Sequence, residues 1–210
     1  MAEVQIVAGR ECGWALRNYV ALLEKGVTFE TISANDERVG GKQALCAFTP
    51  YCLTPVLVHG KQRVFESSLI NEYLDDRFPD PPLLPPTPQG RSNARQWVHF
   101  CDNALLPELI AIATQTAAGE RDKAARAYRR QAEWFDSHVL KNDWRGPFFF
   151  GEQFTLLDIA FHTVFNAAEL LAERCSVVAQ TQTAAMAKWQ SSISARESVR
   201  LGIEALECGV

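Results

Sequence analysis

A proline-rich stretch near residue 80 constrains the fold of this chain more than any other feature. Six prolines fall within the thirteen residues 78–90, and proline both removes a backbone donor and breaks helices. Before this stretch, short β-branched runs alternate with helical patterns, whereas after it nearly every pattern is helical. The sequence therefore predicts a first domain over 1–77, a linker over 78–90 and an all-helical domain over 91–210.

The first domain begins with two strand patterns that flank one helical pattern. Residues 4–8 and 27–32 are short and rich in β-branched side chains, and a glycine, Gly26, ends the helical pattern between them. One helix between two strands predicts a parallel, right-handed βαβ unit. The predicted order for residues 1–77 is β-α-β-α-β-β-α, from segments 4–8, 13–25, 27–32, 42–48, 54–58, 63–65 and 66–77.

Helical periodicity dominates the second domain. A Thr155-x-x-Asp158 pattern, with Phe154 before it and Ile159 after it, is typical of a capping box with a hydrophobic staple. The aromatic run 148–150 is predicted to be a short strand. The predicted helices are 94–106, 121–140, 156–174 and 183–195.

Charge and cysteine usage exclude several functions. The net charge is −4, and the basic residues at 121–130 are interleaved with alanines, which indicates a solvated helix face rather than a nucleic-acid interface. No apolar run approaches the roughly 20 residues that a membrane span needs. The six cysteines form no CxxC pair and no zinc-ligand pattern, so we expect no metal, a reducing compartment and a cytoplasmic location. The apolar neighbours of Cys46, Cys101 and Cys175 predict core positions.

The order of these elements, with three local motifs, resembles the glutathione transferase superfamily over nearly the whole chain. The motifs are Thr54-Pro55-Val56-Leu57-Val58, Phe65-Glu66-Ser67 with Glu72-Tyr73-Leu74-Asp75, and the capping box. The resemblance implies a thioredoxin-like N-terminal domain, an all-α C-terminal domain and a homodimer. It also implies a detoxification or redox enzyme that takes glutathione as co-substrate, together with a small electrophile or disulfide.

The resemblance also implies a glutathione site. Pro55 matches the family's cis-proline, which directs the Thr54 backbone toward the cysteinyl part of glutathione, and Glu66 and Ser67 match the pair that binds the γ-glutamyl end. A helix N-terminus with a serine hydroxyl favours an anion there. Lys42 either reaches the glycyl carboxylate or faces solvent.

Cys12 is the predicted nucleophile. The segment Cys12-Gly13-Trp14-Ala15-Leu16-Arg17 is similar to the Cys-Pro-Phe-Ala-x-Arg motif of the omega and lambda classes. A helix N-terminus favours the thiolate, which is the reactive form of cysteine. We therefore expect a mixed disulfide between Cys12 and glutathione. The alternative for Cys12 is a small buried hydrophobe, and Trp14 either lines the pocket or packs in the core.

Two other functions compete with this hypothesis. The stretch 72–83 also resembles stringent starvation protein A, a transferase-fold adaptor that binds RNA polymerase and lacks transferase activity. A zeta-like isomerase of maleylacetoacetate type is the third hypothesis, although no Ser or Thr occurs between Met1 and Thr28 to serve a serine-type site.

Overall fold

The computed structural model describes residues 3–9, 12–36, 41–172 and 183–207, with the backbone alone at 41–44 and 207. By their internal contacts, residues 1–82 and 196–210 form one compact unit, and residues 83–195 form a second. We call these unit 1 and unit 2. The linker predicted over 78–90 stays a prediction, and the first helix of unit 2 already begins inside it, at Pro88.

Unit 1 is built on a four-stranded mixed sheet in the order β2-β1-β3-β4. Strands β1 and β2 are parallel, with Val4 opposite Phe29, while β3 pairs antiparallel with both β1 and β4. Ile6, Val7 and Leu57 are fully buried, as alternating or continuous apolar runs in a covered sheet require. The predicted topology is confirmed. The strands are β1 (Val4–Ala8), β2 (Phe29–Ser33), β3 (Val56–His59) and β4 (Gln62–Phe65).

Two helices connect these strands and a third follows β4, all within a residue or two of the predicted bounds. Helix α1 ends where Gly26 takes a positive φ of 61°, a conformation that glycine adopts without steric cost. The helices are α1 (Gly13–Glu24), α2 (Gly41–Phe48) and α3 (Ser67–Arg77).

Unit 2 is helical, as predicted, although its first helix begins six residues earlier than the periodicity indicates. Thr87 caps that helix by accepting a hydrogen bond from the Gly90 N–H, and Pro88 occupies its first turn. Two π-helical turns, Cys101–Leu105 and Asp136–Leu140, join successive helices. The helices are α4 (Pro88–Phe100), α5 (Leu106–Thr114), α6 (Ala118–Phe135), α7 (Lys141–Asp143), α8 (Leu156–Ala172) and α9 (Ala184–Ser194).

The aromatic run 148–150 is not a strand, contrary to the prediction. Phe148 forms an isolated bridge with Gly151, and Phe150 forms another with Gln153. Gly151 has a φ of 88°, so the chain reverses immediately and the run bonds to its own turn. The backbone hydrogen bonds of these residues are therefore made within the turn itself rather than to a distant strand.

The capping pattern at Thr155 organises the centre of unit 2. The Asp158 carboxylate accepts four hydrogen bonds: from the backbone N–H groups of Phe149 and Thr155 (both 2.9 Å), the Thr155 hydroxyl (2.8 Å) and the Trp189 indole (2.7 Å). Burial raises the pKa of Asp158, and these hydrogen bonds oppose that rise. The carboxylate therefore joins the start of α8 to both the 148–151 turn and α9.

One further helix, α10 (Glu197–Glu207), belongs to unit 1 and was not predicted. Arg196 donates two hydrogen bonds to the Glu24 carboxylate (2.8 and 2.6 Å), and Ser198 donates another. A Cβ at Gly202 would lie 3.0 Å from a Val20 methyl group, so the glycine allows α10 to approach α1 closely. These contacts fix α10 along α1.

The prediction for Cys46 is wrong. Cys46 is exposed rather than in the core, and it forms a disulfide with Cys52, with Cα atoms 4.3 Å apart. The end of α2 brings these residues together across a short turn, which local sequence patterns did not reveal. The cysteine pattern therefore gives no support for a reducing compartment. Cys101 is buried, as predicted, and Cys175 lies outside the described residues.

Candidate functional site

Cys12 immediately precedes α1, at the carboxyl end of β1. It is the N-cap residue of the helix and is half-buried, and its side chain makes no capping bond. Its sulfur lies 3.7 Å from the Thr54 carbonyl oxygen and 3.6 Å from the Thr54 hydroxyl oxygen. The thiol can donate to the carbonyl, and the thiolate can accept from the hydroxyl. The site therefore offers a partner to both protonation states of the sulfur.

The Thr54–Pro55 peptide bond is cis, as the resemblance implied. Pro55 is buried at the start of β3, and Thr54 is half-exposed. Because β3 pairs with β1, the turn before β3 comes to the same edge of the sheet as the residues after β1. This pairing brings Thr54 to Cys12, although 42 residues separate them in the chain.

The start of α3 supplies a second part of the site. Glu66 is the N-cap residue, with a φ of 69° that a residue with a side chain rarely adopts. Such strain is typical of functional positions. Ser67 is half-buried at the first position of the helix, where free backbone N–H groups favour an anion.

Three buried polar residues near this site had no predicted role. Arg17 is 2% exposed, donates to the Ser68 hydroxyl (3.1 Å) and lies over the Trp14 ring, with 5.6 Å from the guanidinium carbon to the ring centroid. Asn18 and Asn71 hydrogen-bond to each other at 2.6 Å. The signal for Arg17 and Asn18 in the sequence is an Arg-Asn pair inside an otherwise apolar helix, where residues 15–22 are all buried.

Trp14 and Lys42 are the remaining predicted residues, and Tyr19 supplies a further hydroxyl in α1. Trp14 is half-buried in the first turn of α1, beside Arg17. Lys42 lies in α2, and its side chain is outside the described part of the molecule. Tyr19 is buried, with its hydroxyl bonded to Thr31, and burial raises its pKa. Its hydroxyl therefore stays protonated and is not a candidate nucleophile.

Unit 2 has a groove and an aromatic cluster of its own. A groove of about 600 Å³ runs along α4, between Pro88 and His99, and includes Arg91 and Arg95. Trp97 and Phe100 pack against Phe135, with ring centroids 5.4 and 5.8 Å away. Among the described residues, no group of His, Cys, Asp or Glu could hold a metal ion, and no helix is long and apolar enough to cross a membrane.

Comparisons with known proteins agree with this geometry. The family model described as "Glutathione S-transferase, N-terminal domain" matches residues 11–77. Glutathione S-transferase U22 of Arabidopsis thaliana is 32% identical over 165 residues, which cover 76% of this chain and 72% of that protein. A stringent starvation protein A homolog of Pasteurella multocida is also 32% identical, over 139 residues that cover 66% of this chain and 62% of the homolog.

Among solved structures, the Tau class glutathione S-transferase MiGSTU from mango, Mangifera indica, has a TM-score of 0.82. It is 25% identical, and the match covers 97% of this chain and 95% of the mango protein. The likeness therefore extends over both units.

Proposed function

Because this chain belongs to the glutathione S-transferase superfamily, we propose that it is a glutathione-dependent thiol transferase with Cys12 as its nucleophile. The contact between the Cys12 sulfur and Thr54 carries this proposal. The sulfur is half-exposed and lies at a helix N-terminus, beside the residue that precedes the cis-proline. A structural cysteine such as Cys101 is fully buried instead.

The proposed reaction is two successive thiol–disulfide exchanges. The Cys12 thiolate attacks the glutathione sulfur of a mixed disulfide, RS–SG, so a Cys12–SG bond forms while the RS–SG bond breaks. The leaving RS⁻ takes a proton and departs as RSH. A second glutathione thiolate then attacks the Cys12-bound glutathione, which releases GSSG and restores the Cys12 thiolate. Overall, RSSG and GSH give RSH and GSSG.

A resolving thiol from solution suits this chain. The position where a CxxC motif would place its second cysteine is Ala15, and Cys46 and Cys52 are bonded to each other. The monothiol route therefore favours reductive removal of glutathione from a substrate over formation of an internal disulfide. The identity of the R group depends on the second substrate.

Glutathione itself would be held at both ends of its γ-glutamyl-cysteinyl part. The Thr54 backbone pairs with the cysteinyl peptide, and the Ser67 hydroxyl with the free N–H groups of α3 takes the γ-glutamyl carboxylate. Glu66 is exposed and carries a negative charge, so it suits the ammonium group of the same residue. Trp14 and Lys42 complete the proposed set, at the pocket wall and the glycyl carboxylate.

Substitution of the sulfur tests the proposal. We expect Cys12→Ser to lower the rate of glutathione-dependent reduction of hydroxyethyl disulfide at least about a hundredfold, because a hydroxyl cannot form the mixed disulfide. Cys101→Ser is the matched control and should keep the rate, provided that both variants unfold at similar urea concentrations. Conjugation of glutathione to an aryl halide, measured in parallel, shows whether a second activity is independent of the sulfur. Full reduction activity in Cys12→Ser would refute the proposal.

A homodimer and a cytoplasmic, detoxifying role belong to the same proposal. Among the described residues of unit 1, four large apolar side chains are exposed in one chain: Tyr51 (59%), Leu53 (67%), Leu69 (56%) and Leu201 (42%). A second copy of the chain would cover exposed side chains of this kind. Light scattering coupled to size-exclusion chromatography should give the mass of two chains, and Leu53→Glu should shift the protein toward the monomer.

The similarity to stringent starvation protein A supports a second candidate, a non-enzymatic adaptor for RNA polymerase. Retention on glutathione-agarose followed by the Cys12→Ser assay separates the two functions. A transferase should be retained and should depend on the sulfur. An adaptor should be retained by immobilised RNA polymerase and should be indifferent to both glutathione and the substitution.

A further inference from the structure

Helices α1 and α3 lie side by side in unit 1, with their N-termini at the same end. The middle of α1 contacts the start of α3, since Asn18 reaches Ser67. Residues near the ends of both helices also meet, because the Lys25 ammonium lies 2.5 Å from the Asp75 carboxylate. The two helix N-termini therefore carry the two parts of the proposed glutathione site, the sulfur before α1 and the anion site at α3.

A pair of buried amides ties the N-terminal halves of the two helices together. The Asn18 amide nitrogen donates to the Ser67 carbonyl at 2.9 Å and to the Asn71 side-chain oxygen at 2.6 Å. The Asn71 amide nitrogen donates back to the Arg17 carbonyl at 3.2 Å. Asn18 is fully buried and Asn71 is 3% exposed. Each helix is thus bonded to the backbone of the other.

The stability of the helix contact does not explain this pair. The Asn18 side-chain oxygen is buried and has no hydrogen-bond partner, and a buried unsatisfied polar atom costs about 1–3 kcal/mol. Two apolar side chains of similar shape would pack the same interface without an orphaned acceptor. The amides instead fix the register of the two helices, because their hydrogen bonds to backbone carbonyls set the position of α3 along the axis of α1.

We infer that Asn18 and Asn71 are positioning residues that hold the Ser67 anion site at a fixed distance from the Cys12 sulfur. This inference rests on the proposed function. Asn18 lies six residues after Cys12 on a single helix, so its bond to the Ser67 carbonyl transmits the position of α1 directly to the first turn of α3. A bound glutathione contacts both parts at once, and its affinity depends on that spacing.

The test compares two double variants of the same helix pair. Asn18→Leu/Asn71→Leu removes the amide pair without leaving a new orphaned side chain, and Lys25→Met/Asp75→Leu removes the buried ion pair at the other ends of the helices. The affinity for S-methylglutathione, an unreactive analogue, is measured by calorimetry. The KM for glutathione and kcat are measured alongside, and urea unfolding reports stability.

We expect the Asn18→Leu/Asn71→Leu variant to raise the Kd and the glutathione KM about tenfold, with kcat changed less than about threefold. The ion-pair variant should keep the Kd within about twofold, even where its stability falls further. If the double Asn variant does not fold, Asn71→Leu replaces it in the test. This single variant keeps the bond between Asn18 and the Ser67 carbonyl, so it should raise the Kd by a smaller factor.

Two results would overturn the inference in different ways. A folded Asn variant that binds S-methylglutathione as tightly as the wild type would show that the pair only packs the helices, and would leave the proposed function intact. A wild-type protein that does not bind S-methylglutathione would remove the proposed function, and the inference with it.

Discussion

His162 makes the protein's stability sensitive to mild acid. It lies in α8, is 5% exposed, and neither of its ring nitrogens has a hydrogen-bond partner. Burial lowers its pKa from the ordinary 6.5 to about 4, because the charged imidazolium is not solvated there. The unfolded chain therefore binds a proton below pH 6.5 that the folded chain takes up only near pH 4.

The sign and size of the effect follow from this difference. A depressed pKa makes the contribution of His162 to stability complete above pH 6.5, and that contribution is lost as the pH falls toward 4. With one pKa unit worth about 1.4 kcal/mol, the full loss is about 3 kcal/mol. Between about pH 7.5 and pH 5, the linkage relation gives a loss of about 2 kcal/mol.

Urea unfolding at these two pH values, for the wild type and His162→Leu, measures the effect. Other titrating groups are common to both proteins. The difference between the two proteins in their pH-dependent loss of unfolding free energy therefore reports His162 alone. The wild type should lose about 2 kcal/mol more than the variant on acidification. The variant should also be no less stable at the higher pH, because it removes two orphaned nitrogens. Equal losses in the two proteins would refute the reasoning.

Three further predictions follow from the described contacts. Asp158→Asn should lower the free energy of unfolding by about 2–6 kcal/mol, because its NH2 group would face at least one N–H donor, which leaves both groups unsatisfied, and each unsatisfied buried group costs about 1–3 kcal/mol; a loss under about 1 kcal/mol in urea would contradict this. Cys46→Ser/Cys52→Ser should cost about 2 kcal/mol of stability by freeing a short loop, and reduction of the wild type with dithiothreitol should match it; unequal losses would show that the variant acts some other way. Thr54→Val should slow thiol transfer about tenfold by removing the hydroxyl beside Cys12, while Thr54→Ser should keep the rate; a fast Thr54→Val enzyme would exclude the hydroxyl from the reaction.

Local sequence patterns predicted those helices and strands whose boundaries are set by residues within the element or next to it. The β1-α1-β2 unit was readable because β-branched runs and Gly26 mark its boundaries, and the capping pattern at Thr155 fixed the start of α8. The cis state of Pro55 was readable only from the resemblance, since cis is the minority state of X–Pro bonds. Cys12 was also predicted as the candidate nucleophile from its local motif, but its contact with Thr54 depends on the pairing of β3 with β1.

Long-range contacts account for what the sequence did not predict. Glu24 and Arg196 are 172 residues apart, so nothing local indicated that the final helix returns to α1. The partners of Asn18 lie 49 and 53 residues away on α3. An amide among apolar residues in the sequence does not indicate which distant residue it will contact. The Cys46 side chain was misjudged for a different reason: it lies on the exposed side of α2, and no local pattern indicated the turn that brings it to Cys52, six residues later.

The central claim is that the Cys12 sulfur exchanges with glutathione disulfides, and mass spectrometry tests it most directly. The intact protein is incubated with a glutathione mixed disulfide, quenched by acid, and its peptides are mapped. We expect one added glutathionyl group on the peptide that contains Cys12, its removal by glutathione, and no such adduct in Cys12→Ser. A wild-type peptide containing Cys12 that stays unmodified, while glutathione-dependent reduction proceeds, would contradict the account.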